Sequence, residues 1–254
     1  MGILDIHNIS LNFAGLQVLS DVNIEIKENS IHTIIGPNGS GKTSLLNCIC
    51  GLYEPSGGEI KYQEEDITEK PCHEVAAMGI ARTFQNVELF KNMTVLDNLL
   101  LGYHNKIKCG PVAGSFFFGK ALKEEIKARK KAEDIIEFLE IEKWRWHIVA
   151  TIPFGVAKRI ELGRALISEP KIILLDEPTV GMNREETEDI IRFVLDVSEE
   201  WGNVTIVLVE HDMEVVKDIS HEVCVLNFGQ VISEGSYQEV CSNPEVRVAY
   251  LGKE

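Results

Sequence analysis

The residues with the clearest chemistry lie at positions 36–43, in the sequence GPNGSGKT. They match the phosphate-binding pattern G-x-x-x-x-G-K-[ST] without a mismatch. The glycines let backbone N–H groups approach β- and γ-phosphates, and Lys42 supplies a positive charge. The spacing differs from G-x-G-x-x-G, which excludes the dinucleotide-binding fingerprint at this position. The predicted chemistry is therefore binding of a nucleotide through its phosphates.

Two acidic residues form the second group with chemical potential. Asp176 and Glu177 directly follow the apolar run 172–175, which predicts a buried strand ending in acids. At that position Asp176 can hold Mg²⁺ together with Thr43, and Glu177 can polarise an attacking water. An acidic pair after a strand is common, but the same pair after a phosphate-binding loop predicts a nucleotide hydrolase.

Strands and helices must alternate to bring these two groups together. Residues 3–35 alternate as in a twisted antiparallel hairpin that ends in an apolar strand before the glycines, and a helix follows as far as Gly51. The second half of the chain predicts a strand, a helix, a strand, a helix and a hairpin, over residues 171–178, 184–200, 204–211, 212–219 and 221–235. Alternation of this kind predicts a parallel α/β sheet.

The middle of the chain has a different pattern. Residues 120–140 predict one long amphipathic helix with a solvated charged face, and a second helix is expected over 156–168. We therefore expect residues 86–155 to form a helical insertion. It would interrupt a single domain, 1–254, whose catalytic core and antiparallel β subdomain comprise residues 1–85 and 156–254.

Composition excludes several classes of protein. The 254 residues carry a formal net charge of −15, which argues against a nucleic-acid-binding protein because phosphate backbones select basic surfaces. The start, MGILDIHNIS, has no basic region followed by an apolar core, so no signal peptide is predicted. No apolar run of about 18 residues occurs, so no membrane-spanning helix is predicted. The six cysteines contain no C-x-x-C pair, which argues against a zinc site or a redox motif.

Taken together, these motifs resemble the ATP-binding cassette ATPases, the nucleotide-binding subunits of ABC transporters, over nearly the whole chain. The resemblance implies a P-loop NTPase fold of the α/β class: an ABC-type nucleotide-binding domain with an antiparallel β subdomain and a helical subdomain insertion. It also implies ATP and Mg²⁺ as cofactors. Residues 179–183, TVGMN, lie at the position of the family's D-loop, and His211 matches its switch histidine, which contacts the γ-phosphate.

The resemblance also assigns roles to individual residues. Phe13 matches the aromatic residue that stacks on adenine, Val18 a second apolar contact, and Gln85 the Q-loop glutamine. The residues expected to take part in catalysis are Glu177, His211, Gln85 and Lys42. Those expected to hold Mg²⁺ are Thr43, Gln85 and Asp176. Those expected to contact nucleotide are Phe13, Val18, Gly36, Pro37, Asn38, Gly39, Ser40, Gly41, Lys42, Thr43, Ser44, Gln85, Asp176, His211, Pro153, Phe154, Gly155 and Val156.

Within the family, the chain is most similar to ATPase subunits of branched-chain amino acid importers, a group that includes urea and amide importers. The segments that carry this similarity are residues 79–102, the insertion after them, VEHDMEVVKDIS and the tail NPEVRVAYLGKE. The similarity implies a second ATPase subunit, two transmembrane permease subunits and, indirectly, a solute-binding protein as partners. It places the chain on the cytoplasmic face of the cell membrane, with a permease helix docked near residues 86–101. Val87, Leu89 and Phe90 could form that contact or could pack inside the insertion.

The family signature L-S-G-G-Q is altered in this chain. Its equivalents are Ile152, Pro153, Phe154, Gly155 and Val156. Proline has neither a hydroxyl nor a backbone N–H, and valine lacks the amide of glutamine, so fewer donors face ATP on an opposite subunit. The N–H groups at this helix N-terminus can still meet phosphate. We therefore expect a heterodimer with a different ATPase that has a fuller signature.

Three alternatives remain open on sequence grounds. The chain could be a soluble cassette protein acting on nucleic acid or ribosomes, although its acidity and importer-like tail oppose this. It could be a regulatory subunit that binds ATP and hydrolyses it weakly, as Pro153 and Val156 would suggest. It could also belong to a lipid or lipopolysaccharide exporter, whose ATPases share a similar tail.

Overall fold

The computed structural model describes residues 2–13, 15–83, 87–106, 120–201 and 204–251. Its first sheet is antiparallel, with the strand order β2-β1-β4-β5. The strands are β1 (Leu4–Phe13), β2 (Leu16–Ile26), β4 (Gly57–Tyr62) and β5 (Glu65–Asp66). The alternating pattern of β1 and β2 produces the predicted hairpin. The sequence analysis missed β4, which pairs with β1 from more than 40 residues away, between Ser10 and Gly57.

The second sheet is mainly parallel and contains the predicted catalytic strands. Its order is β10-β9-β3-β8-β7-β6, and only the β9–β10 pair is antiparallel. The strands are β3 (Ile31–Ile35), β6 (Ile80–Arg82), β7 (Ile172–Asp176), β8 (Thr205–Val209), β9 (Glu222–Asn227) and β10 (Gln230–Gly235). Every residue of β3, β7 and β8 is buried, as expected of central strands covered on both faces.

Helices cover this sheet and build the region around residues 95–151. They are α1 (Lys42–Ile49), α2 (Cys72–Met78), α3 (Val95–Gly102), α4 (Lys120–Phe138), α5 (Phe154–Leu166), α6 (Arg184–Glu200), α7 (Met213–Ile219), α8 (Tyr237–Ser242) and α9 (Pro244–Leu251). Short 3₁₀ helices occupy His104–Lys106, Glu142–Trp144 and Val149–Thr151. Among the described residues, no helix is both long and apolar enough to cross a bilayer.

Two large clusters of buried side chains hold the fold together. One joins α3, α4, α5 and α6 to one face of the parallel sheet, and it includes Leu99, Ile135, Leu162 and Phe193. The other fills the space between the antiparallel sheet, α1 and the opposite face of the parallel sheet. The parallel sheet is thus packed on both faces, which fixes the ends of its strands relative to the loops that follow them.

A buried histidine in β3 makes stability depend on pH. His32 is fully buried, and neither ring nitrogen has a hydrogen-bond partner among the residues that the structure describes. Burial lowers the pKa of His32 from 6.5 to about 4, against a raising effect of Glu222 and with a smaller lowering effect of Lys27. The imidazole of His32 is therefore protonated below about pH 4 in the folded state, but already below pH 6.5 in the unfolded state. The stabilising effect of the neutral ring is present above pH 6.5 and is lost as pH falls towards 4.

We expect the His32→Leu variant to have a flatter pH dependence of stability than the native chain. Between pH 7 and pH 5, protonation of the unfolded state at this site should remove about 2 kcal/mol from the native free energy of unfolding. Urea unfolding at both pH values measures this difference. His73→Leu, at an exposed histidine, is the matched control and should retain the native pH dependence. An equal pH dependence in the native chain and His32→Leu would contradict the prediction.

Candidate active site

The phosphate loop joins the end of β3 to the first turn of α1. Three of its glycines have positive φ, namely 153° at Gly36, 79° at Gly39 and 105° at Gly41, which are conformations that side chains disfavour. Space is restricted as well: a methyl group at Gly36 would lie 2.0 Å from the carbonyl oxygen of Leu226. Gly41 caps α1, whose first N–H groups therefore point into the loop. The backbone required by the sequence pattern is present.

Lys42 lies inside this loop with its ammonium turned towards the backbone. Its Nζ donates hydrogen bonds to the carbonyl oxygens of Gly36 (2.8 Å) and Pro37 (3.1 Å). Burial lowers the pKa of Lys42, while Glu177 and Asp176 act in the opposite direction. A cation held in this way lies where the phosphates of a nucleotide would need a positive charge.

The loop and the acidic strand end meet in one cavity of about 290 Å³. Its lining contains most of the loop, together with one apolar residue from β2 and the second acid after β7: Val18, Asn38, Gly39, Ser40, Gly41, Lys42, Thr43, Ser44 and Glu177. The parallel register of β7 with β8, and of β8 with β3, brings the ends of these strands together. The structure thus unites residues that are more than 130 positions apart in the sequence.

Asp176 and Thr43 lie close enough to share a ligand. The Thr43 hydroxyl donates to Asp176 Oδ1 at 3.4 Å, and hydroxyl and carboxylate oxygens are the type of ligand that Mg²⁺ prefers. These two residues therefore fit a magnesium site. Burial raises the pKa of Asp176, although Arg82 opposes that effect.

Arg82 is a site residue that the sequence analysis missed. Its Nη2 donates to Asp176 Oδ2 at 2.9 Å, and the two side chains are only 6% and 1% exposed. Its Nη1 donates to Asn47 in α1, so one guanidinium connects β6, β7 and α1. The sequence analysis predicted no strand over residues 80–82, and the sequence does not show that β6 neighbours β7, so nothing in it pointed to this contact.

Glu177 follows Asp176 in a strained turn. Its φ is +49°, and its N–H donates to the carbonyl oxygen of Val209 at 2.9 Å. This bond fixes the residue against the end of β8. A non-glycine residue at positive φ costs free energy that the surrounding structure must offset, and such residues concentrate at functional sites.

His211 lies just beyond β8, with its side chain 58% exposed. Its Nδ1 is 3.7 Å from Glu210 Oε2, and its backbone N–H donates to that same oxygen at 2.9 Å. The neighbouring Glu210 is fully buried and was also missed by the sequence analysis. The acidic residue before this histidine was visible in the sequence, but its burial and its partners were not.

Phe13 and Gln85 are two further residues expected to contact nucleotide. Phe13 ends β1 with 43% of its surface exposed, and its ring meets that of Tyr53 edge to face at 5.0 Å. This leaves an aromatic surface available to a base. Gln85 and Asn86 lie outside the described residues, so the expected roles of Gln85 stay predictions.

The altered signature lies at the N-terminus of α5. The helix begins at Phe154, two residues earlier than predicted, and Pro153 occupies the position before its first turn. As at every helix start, the first N–H groups of α5 lack intrahelical acceptors, and Pro153 supplies no side-chain cap to them. Gly155 packs against the Glu186 side chain, because a methyl group there would lie 2.4 Å from Glu186 Oε1 and would displace it.

Comparisons with known sequences agree with this geometry. A sequence profile for the family described as "ABC transporter" matches residues 19–180, and one described as "Branched-chain amino acid ATP-binding cassette transporter" matches residues 230–254. The chain is 36% identical to the high-affinity branched-chain amino acid transport ATP-binding protein BraF of Pseudomonas aeruginosa. That alignment covers 99% of this chain and 98% of BraF.

Two solved structures of ATP-binding cassettes from ABC transporters are also similar over the full length of both chains. A nucleotide-free cassette shares 34% sequence identity with a TM-score of 0.86. A cassette in its ADP conformation shares 34% identity with a TM-score of 0.85. The resemblance in motifs, the fold and the full-length sequence similarity thus agree: the chain belongs to the ABC transporter family, as a nucleotide-binding subunit that hydrolyses ATP to drive transport.

Proposed function

We propose that this chain powers the uptake of branched-chain amino acids or related small amino acid and amide solutes. The observation that carries the ATPase part is the single cavity that joins residues 38–44 to Glu177. The choice of solute is supported by the name of BraF and by the profile matched at residues 230–254. A lipid or lipopolysaccharide exporter is the alternative, and neither of these similarities favours it.

The proposed reaction is in-line attack of water on the γ-phosphate of ATP. Adenine stacks on Phe13 beside Val18, and the phosphates lie against the N–H groups of residues 36–44 and the ammonium of Lys42. Glu177 accepts a proton from the attacking water, and His211 contacts the γ-phosphate. Thr43, Asp176 and Gln85 would hold Mg²⁺, which would neutralise phosphate charge when bound.

The same proposal covers the partners of the chain. Two ATPase subunits close around ATP, and the signature residues Pro153, Phe154, Gly155 and Val156 face nucleotide on the opposite subunit. Because Pro153 and Val156 offer fewer donors than the family signature, we propose an unlike ATPase as the partner. The chain is then held at the cytoplasmic face of the cell membrane by two permease subunits, and a solute-binding protein delivers the solute.

A groove beside α2 and α3 is the proposed docking site for a permease helix. It has a volume of about 600 Å³, and Phe90 in its wall is 58% exposed. Leu89 is only 7% exposed and packs into the helical core, and Val87 packs partly against the same core. Of the three apolar residues considered from the sequence, Phe90 is thus available to a partner. We also propose that residues 86–155 act as the helical subdomain that transmits this contact to the core.

Uptake assays test the proposed transport function. In cells from which the gene has been deleted, uptake of labelled leucine, isoleucine and valine should fall to background, because transport requires ATP turnover by this subunit. The native gene should restore uptake, whereas a Glu177→Gln allele should not. Uptake of a sugar by a separate transporter should stay at the native rate, which checks that the cells still have the energy for transport. Native leucine, isoleucine and valine uptake in the deletion strain would contradict the choice of solute.

A further inference from the structure

Glu210 is a fully buried carboxylate whose two oxygens serve different loops. Oε1 accepts a hydrogen bond from the Thr179 hydroxyl, in the loop after β7. Oε2 accepts from the backbone N–H groups of His211 (2.9 Å) and Asp212 (3.3 Å), in the loop after β8. A buried carboxylate is costly unless several donors satisfy it, and these three donors do so. Glu210 therefore connects two loops 32 positions apart.

Both connected loops begin beside a residue of the proposed reaction. Glu177 directly follows β7, two residues before Thr179, and Glu210 and His211 directly follow β8. The N–H of Glu177 also donates to the carbonyl oxygen of Val209, so the two strand ends are joined by backbone as well. Residues 179–183, which lie between β7 and α6, are called the 179–183 loop below. Its first residue, Thr179, is 8% exposed. A hydrogen bond from the Met182 N–H to the carbonyl oxygen of Thr179 closes a turn in this loop.

The ring of His211 has little else to orient it among the described residues. It is 58% exposed, and its 3.7 Å approach to Glu210 is longer than a hydrogen bond. Its position is therefore set mainly by its backbone, whose N–H is held by Glu210. A displacement of the 179–183 loop would move the Glu210 carboxylate. The backbone N–H groups of His211 and Asp212, which are bonded to that carboxylate, would move with it.

We propose that Glu210 is a positioning residue that couples the 179–183 loop to the backbone of His211. In this arrangement the loop after Glu177 and the histidine reach their working positions together. The inference rests on the proposed role of His211 for its effect on turnover. The mechanical link between the loops does not depend on that role, and it can be measured separately.

The test uses the full chain and its Thr179→Val variant, which keeps the side-chain shape but removes the hydroxyl donor. Hydrogen exchange at the His211 and Asp212 amides should rise about tenfold in Thr179→Val, because one charge-assisted hydrogen bond to the carboxylate is lost. Amides of β3 should exchange at the native rate, which checks that the fold is intact. Thr179→Ser retains the hydroxyl and should restore native exchange.

Turnover provides the second readout, measured with the ATPase partner present. Thr179→Val is expected to lower kcat about tenfold and to leave the KM for ATP within about twofold, since the phosphate loop is untouched. Glu210→Gln should lower kcat similarly, and the double variant should be no slower than the slower single variant, because both changes break one link.

Three results would overturn the proposal. These are unchanged exchange at His211 and Asp212 in Thr179→Val, equal changes in kcat and KM, and multiplicative losses in the double variant. His211→Ala separates this inference from the proposed function. Normal turnover in that variant, with the exchange coupling intact, would refute the role of His211 and would support the link between the loops.

Discussion

Replacing Glu177 by glutamine is expected to lower kcat for ATP by a factor of about 10²–10⁴, the usual contribution of a general base. Glutamine keeps the size and the backbone of the site, but it cannot accept the proton of the attacking water. ATP binding should be retained, because Lys42 and the N–H groups of residues 36–44 are unchanged. Steady-state turnover and equilibrium binding of a fluorescent ATP analogue measure the two effects separately.

The matched control for this experiment is Glu199→Gln, which changes the same side chain near the end of α6 and away from the cavity residues. It should retain native turnover. Loss of ATP binding in Glu177→Gln would show that the residue acts in binding rather than in proton transfer. Native turnover in Glu177→Gln would contradict the assignment of the general base.

The same measurement decides between a heterodimer and a homodimer. If the altered signature at residues 152–156 donates poorly, the chain alone should turn over ATP slowly, and addition of its ATPase partner should stimulate it strongly. Glu177→Gln should abolish that stimulation. The productive site would combine the phosphate loop of this chain with the signature of the partner, and in this variant that site lacks the general base. Full activity of the chain alone would show that the altered signature is competent. Absence of hydrolysis in every mixture, with ATP bound, would favour a regulatory subunit.

Replacing Arg82 by alanine is expected to reduce the free energy of unfolding by about 3–5 kcal/mol, the usual cost of removing one partner from a buried ion pair. The reason is the environment of Asp176, which is 1% exposed and, within the described part of the chain, would keep as its side-chain hydrogen bond the long one from Thr43. Chemical unfolding at pH 7 measures the loss.

Arg129→Ala provides the matched control, because Arg129 also pairs with an acid, but on the surface of α4. Its Nε lies 3.2 Å from Glu125 Oε1, and both side chains are well exposed, so the loss should stay within about 1 kcal/mol. In Arg82→Ala combined with Asp176→Asn, much of the lost stability should return, since the neutral amide needs no cationic partner. Equal losses in Arg82→Ala and Arg129→Ala would show that burial does not determine the strength of these pairs.

Local patterns predicted the elements that carry their own boundary signals. The helix over residues 184–200 is observed at the predicted bounds, because Asn183 and Glu186 form a capping box at its start. The turn from β3 into α1 was equally predictable, since glycines at 36 and 41 permit backbone conformations that other residues disfavour. In contrast, β4 is short and depends on pairing with β1, and the sequence analysis did not predict it.

Residue types and local spacing were enough to predict which residues could bind phosphate and which could accept a proton, because that chemistry depends on the side chains and the loop backbone alone. The tertiary structure decided how they are connected. The strand order β3-β8-β7-β6 places Arg82 against Asp176 and brings Thr43 to the same carboxylate. It also allows Glu210 to join Thr179 to His211. These contacts join residues that are distant along the chain, and no local periodicity encodes which strands become neighbours.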